Sequence, residues 1–251
     1  ILRNHEVEKV EDLIKQGENW EFGWMQDGGK PKLIRLSVED AIEMFYAVKR
    51  LDNLKPRTFE AYEQGLNAFM KAVGREQAIG MIHIDAHCDT MGAAEDHKFH
   101  HGGPFRNAVL AGVLDPERCV QIGIRGSAEV FWEFSYESGM TVIPVQDFHE
   151  MGVKEVIAKT REVLGDGPTY ITFDVDGLDP VYAPGTGTPE VGGLSTADAI
   201  QLLRGLRGLN FVGGDLVEVA PAYDATSNTA QVGKQMMFEI LCLVAESKAN
   251  N

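Results

Sequence analysis

Two short segments carry most of the chemistry this chain could perform. The apolar run Ala78–Ile84 ends in Asp85-Ala86-His87-Cys88-Asp89, and the run Thr169–Val175 leads into Asp174-Val175-Asp176 and then Gly177-Leu178-Asp179-Pro180. In an extended chain, residues two apart share a face. That period predicts Asp85, His87 and Asp89 pointing one way, and Asp174 and Asp176 likewise. Carboxylates gathered with an imidazole at a sheet edge repel one another, and burying them unpaired is costly. Divalent cations remove that cost. An oxygen-rich set with one imidazole suits two Mn²⁺-type ions a few ångströms apart, with an aspartate shared between them. A lone Asp after a strand is an ordinary turn or helix-cap residue. A DxHxD and a DxD, both leaving apolar strands, are better explained by metal.

Such loops need a framework. From Ala78 onward apolar strands alternate with amphipathic helices. Strands are predicted at Ala78–Ile84, Cys119–Ile124, Met140–Val145, Thr169–Val175 and Phe211–Val219. Helices are predicted at Pro104–Gly112, Ala128–Ser138, Lys154–Leu164, Ser195–Arg207 and Thr229–Glu246. Ser195 with Asp198 forms a capping-box signal and Gly208 a stop. Near-continuous apolar strands between helices mean a mainly parallel sheet covered on both faces, a three-layer α/β/α arrangement. Ligands of such sheets sit at the carboxyl ends of the strands, where both acidic segments fall. Upstream, Ser37 and Asp40 mark a helix start with Ala41, Met44, Phe45 and Val48 at helical spacing, and a second helix is predicted over Phe59–Val73. Residues 1–36 are less regular, mixing charge with Trp20, Trp24 and the turn-like Asp27-Gly28-Gly29-Lys30, and are read as an atypical segment before a domain at 37–251.

Composition limits the function classes. The 251 residues hold 38 acidic and 23 basic side chains, a net charge of -15. Such a surface repels nucleic-acid backbones and anionic membranes. No apolar run is long enough for a membrane helix and no secretory leader is read at the start. Three widely spaced cysteines (Cys88, Cys119, Cys242) without a CxxC pattern are expected to be reduced thiols in a cytoplasmic protein.

The sequence resembles the ureohydrolase family, which includes arginase, agmatinase and the guanidinobutyrase and guanidinopropionase group. Asp85-Ala86-His87-Cys88-Asp89, Phe173–Pro180 and Ala183-Pro184-Gly185-Thr186-Gly187-Thr188-Pro189 carry the likeness, which runs from about Val38 to Glu246. His100-His101-Gly102-Gly103-Pro104-Phe105 and Gly123-Ile124-Arg125-Gly126-Ser127 look most like the guanidinobutyrase branch. The resemblance implies an arginase-like α/β fold with a binuclear manganese centre that hydrolyses a guanidino group to urea and an amine through a metal-bridging hydroxide. It implies that Asp85 and Asp174 bridge the metals, that His87 and Asp176 complete one of them, and that Asp89 serves the other. It further implies that Asp89 holds and relays a proton, that His101 passes a proton to the departing amine, and that Glu218 pairs with the guanidinium. His100 competes locally with His101 for that role. The expected substrate is a small guanidino compound, with guanidinobutyrate first and agmatine, guanidinopropionate and other guanidines open. Mn²⁺ is the expected ion, two per subunit, with another first-row ion such as Ni²⁺ the alternative. A homo-trimer or hexamer, or a hetero-oligomer with a paralogue, is expected.

The chain departs from the family pattern upstream. The family's sixth ligand, a histidine in a Gly-Gly-Asp-His-type segment, has Glu63 at the corresponding count, within Glu60-Ala61-Tyr62-Glu63-Gln64. Glu63 is either a replacement oxygen ligand or an exposed helical glutamate that leaves one metal short of a ligand. The second reading is preferred, because the glycines that would turn the backbone into the site are gone. The family's opening strand and Gly-Pro-rich loop have no counterpart in the first 35 residues, so the N-terminal part is expected to be atypical or truncated. Two functions follow: a metal-dependent amidinohydrolase, or a non-catalytic ureohydrolase-like subunit that assembles with an active paralogue. Glu133, Tyr136 and Glu137 are candidates for substrate selectivity or for a solvated helix face.

Overall fold

The structure is a computed structural model that describes residues 78–92, 100–126 and 131–250. The helices predicted after Ser37 and over Phe59–Val73, the boundary at 36/37 and Glu63 lie outside the described residues. Those described build a five-stranded sheet, every pair parallel, in the order β3-β2-β1-β4-β5. Its strands are β1 (Ile79–Ile84), β2 (Leu114–Ile124), β3 (Thr141–Pro144), β4 (Thr169–Asp174) and β5 (Phe211–Val217). The helices are α1 (Pro104–Leu110), α2 (Glu133–Ser138), α3 (Val145–Met151), α4 (Val153–Leu164), α5 (Thr196–Gly205) and α6 (Asn228–Asn250).

All six residues of β1 are buried, as a central parallel strand requires. Ile82 and Ile84 of β1 join Ile122 of β2, Ile171 and Phe173 of β4, and Leu202 and Leu203 of α5 in one core. The parallel α/β prediction therefore holds, and most strand limits agree within a residue or two. β2 starts earlier than predicted, at Leu114, and its pairing with β1 is irregular between Ile79 and Met81. Val145 opens α3 instead of closing β3, because Pro144 ends the strand and Val145, Phe148 and Met151 fall at helical spacing. Of the predicted helix Ala128–Ser138, the described part is helical only from Glu133. The capping box holds: Asp198 N–H donates to Ser195 Oγ at 3.1 Å, and Ser195 Oγ donates to Asp198 Oδ2 at 2.6 Å. The helix ends at Gly205, ahead of Gly208, whose φ of +86° suits glycine alone.

The strand order matters for the site. From β1 the chain builds β2 and β3 on one side, then crosses to lay β4 and β5 on the other. The switch point therefore lies between β1 and β4, where open parallel sheets form their ligand crevice. Ile84 of β1 pairs with Phe173 of β4, so Asp85 and Asp174 follow on adjacent strands. No helix among the described residues is long and apolar enough to cross a membrane.

Candidate metal centre

Both acidic segments leave their strands at this switch point, and both turn at once. The strand β1 ends at Ile84 and residues 85–87 bend, while Val175–Gly177 form a single 3₁₀ turn. The side chains converge, but through turns and not through the extended alternation that the sequence suggests. Asp85 Oδ1 accepts from the His87 backbone N–H at 2.6 Å, and Asp174 Oδ1 accepts from the Asp176 N–H at 2.8 Å. Each first aspartate thus stabilises the turn that presents the next ligand. The segments interlock as well: Ala86 N–H donates to Asp176 Oδ1 at 3.1 Å, and His87 Nδ1 lies 3.2 Å from Asp176 Oδ2 and 3.4 Å from Asp85 Oδ1.

Asp89 has a φ of +51° and Glu218, just beyond β5, a φ of +62°. Left-handed backbone costs an L-residue about 1–2 kcal/mol. Asp tolerates it by local hydrogen bonding, whereas Glu does not, so Glu218 holds a strained backbone position just beyond β5. Phe105 N–H donates to the Asp89 carbonyl at 3.2 Å and helps fix that turn.

The charges are incompletely balanced by the protein. Burial pushes Asp174 up to about 10, with Asp85 and Asp176 adding repulsion. Burial, then the Asp85 charge, pushes Asp89 up to about 7. Asp176 is also raised by burial, against the pull of His87. Asp85 goes the other way: burial opposes its charge, but His83 and hydrogen bonds hold it well below the usual carboxylate range. Hydrogen bonds to Asp176 and Asp85 raise His87 to about 10. A site that strains to keep protons on aspartates would exchange them for cations. Two groups have the required geometry: Asp85, His87 and Asp176, and a second formed by His83, Asp85 and Asp89, each with its ligand atoms within 4.8 Å of one another. Oxygen donors with few nitrogens fit Mn²⁺ or a similar first-row ion. Asp85 belongs to both groups, as a shared carboxylate must.

A cleft of about 200 Å³ opens beside these residues, lined by His87, Asp89, Asp174, Asp176, His101 and Glu218. The structure therefore gathers Asp85, His87, Asp89 and Asp176 into these groups; Asp174 belongs to neither and lines the cleft with His101 and Glu218. His100 Nε2 is instead tied to the Gly92 carbonyl at 2.7 Å, which separates the two neighbouring histidines. Glu133, Tyr136 and Glu137 lie in α2, while Phe131 and Trp132, just before that helix, line the cleft together with Met91.

Four supporting residues are given no role by the sequence reading, although two of them, Thr188 and Arg125, lie inside motifs that carry the family likeness. Thr188 Oγ1 donates to Asp176 Oδ2 at 3.1 Å. His83, buried in β1, lies 2.7 Å from Asp85 Oδ2 through Nε2. Gln121 of β2 faces it. Arg125 is buried and its guanidinium meets backbone carbonyls of Gly123, Asp176, Gly177, Leu178, Glu190 and Val191, at 2.6 to 3.3 Å. His83 comes nearest to an exception: it extends the period-two series Asp85, His87, Asp89 one step back. Cys88 and Cys119 are buried free thiols, each pushed by burial up to about 12, which leaves them inert at neutral pH; Cys242 is free and exposed.

Known proteins agree with this geometry. The model of the Arginase family matches residues 65–243. The guanidinopropionase of Pseudomonas aeruginosa is 53% identical over 184 residues, 72% of this chain and 58% of that protein. The guanidinobutyrase of the same organism is 41% identical over 181 residues, 71% of this chain and 56% of that protein. The chain thus spans a little over half the length of these relatives. Among solved structures, the proclavaminate amidino hydrolase of Streptomyces clavuligerus superposes with a TM-score of 0.68 at 34% identity, covering 72% of this chain and 62% of that one. The strand order, the carboxylate clusters at the switch point and these matches together place the chain in the arginase family.

Proposed function

We propose that the protein hydrolyses the guanidino group of a small guanidino acid to urea and an amine, using a pair of divalent cations, Mn²⁺ first. The observation that carries this reading is the convergence of Asp85, His87, Asp89, Asp174 and Asp176 beside a cleft that also presents His101 and Glu218. By the family likeness, Asp85, Asp174, His87 and Asp176 would hold one ion, and Asp89 with the same two aspartates, Asp85 and Asp174, would hold the other. Divalent cations, when bound, supply the Lewis acidity that makes water nucleophilic near neutral pH.

The chain's own groups do the rest. The Glu218 carboxylate matches the planar guanidinium through paired, charge-assisted hydrogen bonds and sets its carbon toward the acidic cluster. Asp89, on the cleft beside the acidic cluster, takes up the proton released as water attacks. His101, at the cleft wall, hands a proton to the departing amine nitrogen. Met91, Phe131 and Trp132 offer an apolar surface for the methylene stem of the substrate.

Guanidinobutyrate is the substrate suggested by the motifs around His100–Phe105 and Gly123–Ser127. Guanidinopropionate is the second reading, favoured by the 53% identity to a guanidinopropionase. The proposal includes a cytoplasmic location and assembly as a homo-oligomer. Metal content per subunit and urea release from guanidinobutyrate, guanidinopropionate, agmatine and arginine test it together. Two ions per subunit and preference for a guanidino acid are expected. Zero or one ion without turnover, restored by a co-expressed paralogue, would sink the enzyme in favour of an assembling subunit. Glu218→Gln keeps the shape but loses the charge, and should raise KM by about 10–100-fold, the scale of a charged hydrogen bond. An unchanged KM would remove Glu218 from the substrate side.

A further inference from the structure

The sheet's register produces a buried polar row that the proposed chemistry does not use. Gln121 of β2, His83 of β1 and Thr172 of β4 are directly paired across neighbouring strands, and Thr172 pairs with Asp215 of β5. Thr172 and Asp215 bond each other, through Thr172 Oγ1 to Asp215 Oδ1 at 2.7 Å. The other half of the row turns toward the site. Gln121 and His83 are 0% and 1% exposed; Gln121 Nε2 and both His83 nitrogens find partners inside the protein, while Gln121 Oε1 finds none.

Gln121 Nε2 is 2.6 Å from the Cys88 carbonyl and 3.0 Å from His83 Nδ1. A carbonyl only accepts, so the atom facing Cys88 must be the amide nitrogen. Turning the amide over would set two oxygens 2.6 Å apart. The nitrogen's second hydrogen then points at His83 Nδ1, which must accept. A neutral imidazole that accepts at Nδ1 carries its proton on Nε2. That N–H faces Asp85 Oδ2 at 2.7 Å, with the Phe105 ring 4.4 Å from the imidazole and holding it from the side.

We infer that His83 and Gln121 are positioning residues for the shared aspartate: Gln121 fixes the His83 tautomer, and His83 N–H fixes the rotation of Asp85. Asp85 Oδ1 is held by the His87 N–H, so both oxygens are tethered from the protein side, one by each loop arm. The same Gln121 amide grips the Cys88 carbonyl, one residue before Asp89, and so links Asp85 to the turn that carries Asp89. Outer-shell partners of metal ligands set ligand orientation, and losing one lowers metal affinity about 10–100-fold. This inference rests on the proposed metal centre for its consequence, but not for the hydrogen-bonded chain itself. The rival role for His83 is direct ligation, since its ring nitrogen lies within reach of Asp85 and Asp89. Ligation needs a bare Nε2, which the Gln121 contact forbids.

The test pairs spectroscopy with metal binding on the full chain. Two-bond ¹H–¹⁵N spectra of histidine-labelled, metal-free protein should show His83 protonated at Nε2 and bare at Nδ1. Adding diamagnetic Zn²⁺ should leave that proton in place. By calorimetric titration with Mn²⁺, His83→Leu should weaken binding about 10–100-fold, while His83→Gln, which can still offer an N–H, should recover most of the loss. Gln121→Leu should blur the tautomer and weaken Mn²⁺ less than His83→Leu. A proton on Nδ1, loss of the Nε2 proton on adding Zn²⁺, or Mn²⁺ affinity unchanged in His83→Leu would each overturn the inference. If the unaltered protein binds neither ion, the proposed function fails, and the metal-free tautomer still decides whether the His83–Asp85 chain exists.

Discussion

Asp85 and Asp174 leave neighbouring parallel strands side by side, yet the protein supports their two loops by different chemistry. After β1 the support is made of side chains: His83 on Asp85, and Gln121 on His83 and on the Cys88 carbonyl. After β4 it is mostly backbone, gathered by one cation. The turn Val175–Gly177 directs carbonyls inward, and Arg125 meets those of Asp176 at 2.7 Å, Gly177 at 3.3 Å and Leu178 at 3.1 Å. Arginine suits the task because its rigid fork offers five donors in one plane. The comparison teaches that one loop is oriented ligand by ligand, while the other is shaped as a unit and brings its ligands along.

That difference predicts where stability and metal affinity part company. The largest effect should come from Arg125→Leu, which strands several buried carbonyls at once. Breaking a buried charged network costs about 3–5 kcal/mol, which for a domain of this size is a melting drop of about 10 °C. Arg125→Lys keeps the charge but cannot span the fan, and should recover only part of the loss. Calorimetry of the metal-free protein reads both. A drop of a degree or two in Arg125→Leu would mean that the loop after β4 does not depend on this clamp.

Titration separates the loops next. Asp89 after β1 is pushed up to about 7, and Asp174 after β4 to about 10. A carboxyl raised by folding binds more protons folded than unfolded between its ordinary value and its raised one, so stability falls as pH climbs through that interval. His87, raised to about 10, acts in the same direction: its contribution is complete below its ordinary value near 6.5 and is lost as pH passes through 10. Asp85, held low, contributes above its ordinary value and does not reverse the trend there. Metal-free protein should therefore lose stability steadily from about pH 5 to pH 9. Asp89→Asn should flatten the lower half of that slope only, and Asp174→Asn should flatten the upper half as well. Melting temperatures across pH measure this. Equal flattening by both variants above about pH 7 would erase the distinction between the loops. Excess Mn²⁺ should cancel the slope in the unaltered protein, since cations replace the protons.

Much of this arrangement is legible in the amino-acid sequence alone. Apolar runs locate β1 and β4 to within a residue, because a strand buried on both faces needs little beyond continuous hydrophobicity. The candidate ligands are legible because Asp and His at strand ends are costly without a cation. What a linear pattern does not carry is anything set by register. His83 meets Gln121 only because β1 and β2 pair at that step, and the two are 38 positions apart. Arg125 stands inside a recognisable motif, but its partners include turns 51 to 66 residues away. The extended alternation drawn through Asp85, His87 and Asp89 predicts that these residues converge, and they do, but by another geometry. The chain bends at Asp85, and Asp89 converges through a left-handed turn. Phe131 and Trp132 give no local signal of their own, because helical spacing is the only pattern there and it points to α2.

The smallest effect probes the hydroxyl support in the β4 loop. Thr188 Oγ1 donates to Asp176 Oδ2, and Thr188→Val removes that bond at nearly constant volume. A hydrogen bond to a charged acceptor is worth about 1.5–3 kcal/mol, which would be roughly 10–100-fold in affinity if nothing else held Asp176. Asp176 keeps the Ala86 N–H and the His87 ring, and Arg125 still holds its carbonyl, so Mn²⁺ binding should weaken only about threefold. His83→Leu should cost more, because His83 holds Asp85 Oδ2 directly, at 2.7 Å, in a fully buried contact. Titrations of the two variants under one set of conditions compare them directly. If Thr188→Val proves the more damaging, Asp176 depends on its hydroxyl partner more than on the shape of its turn. The backbone clamp would then be a device for stability alone, with no part in presenting the ligand.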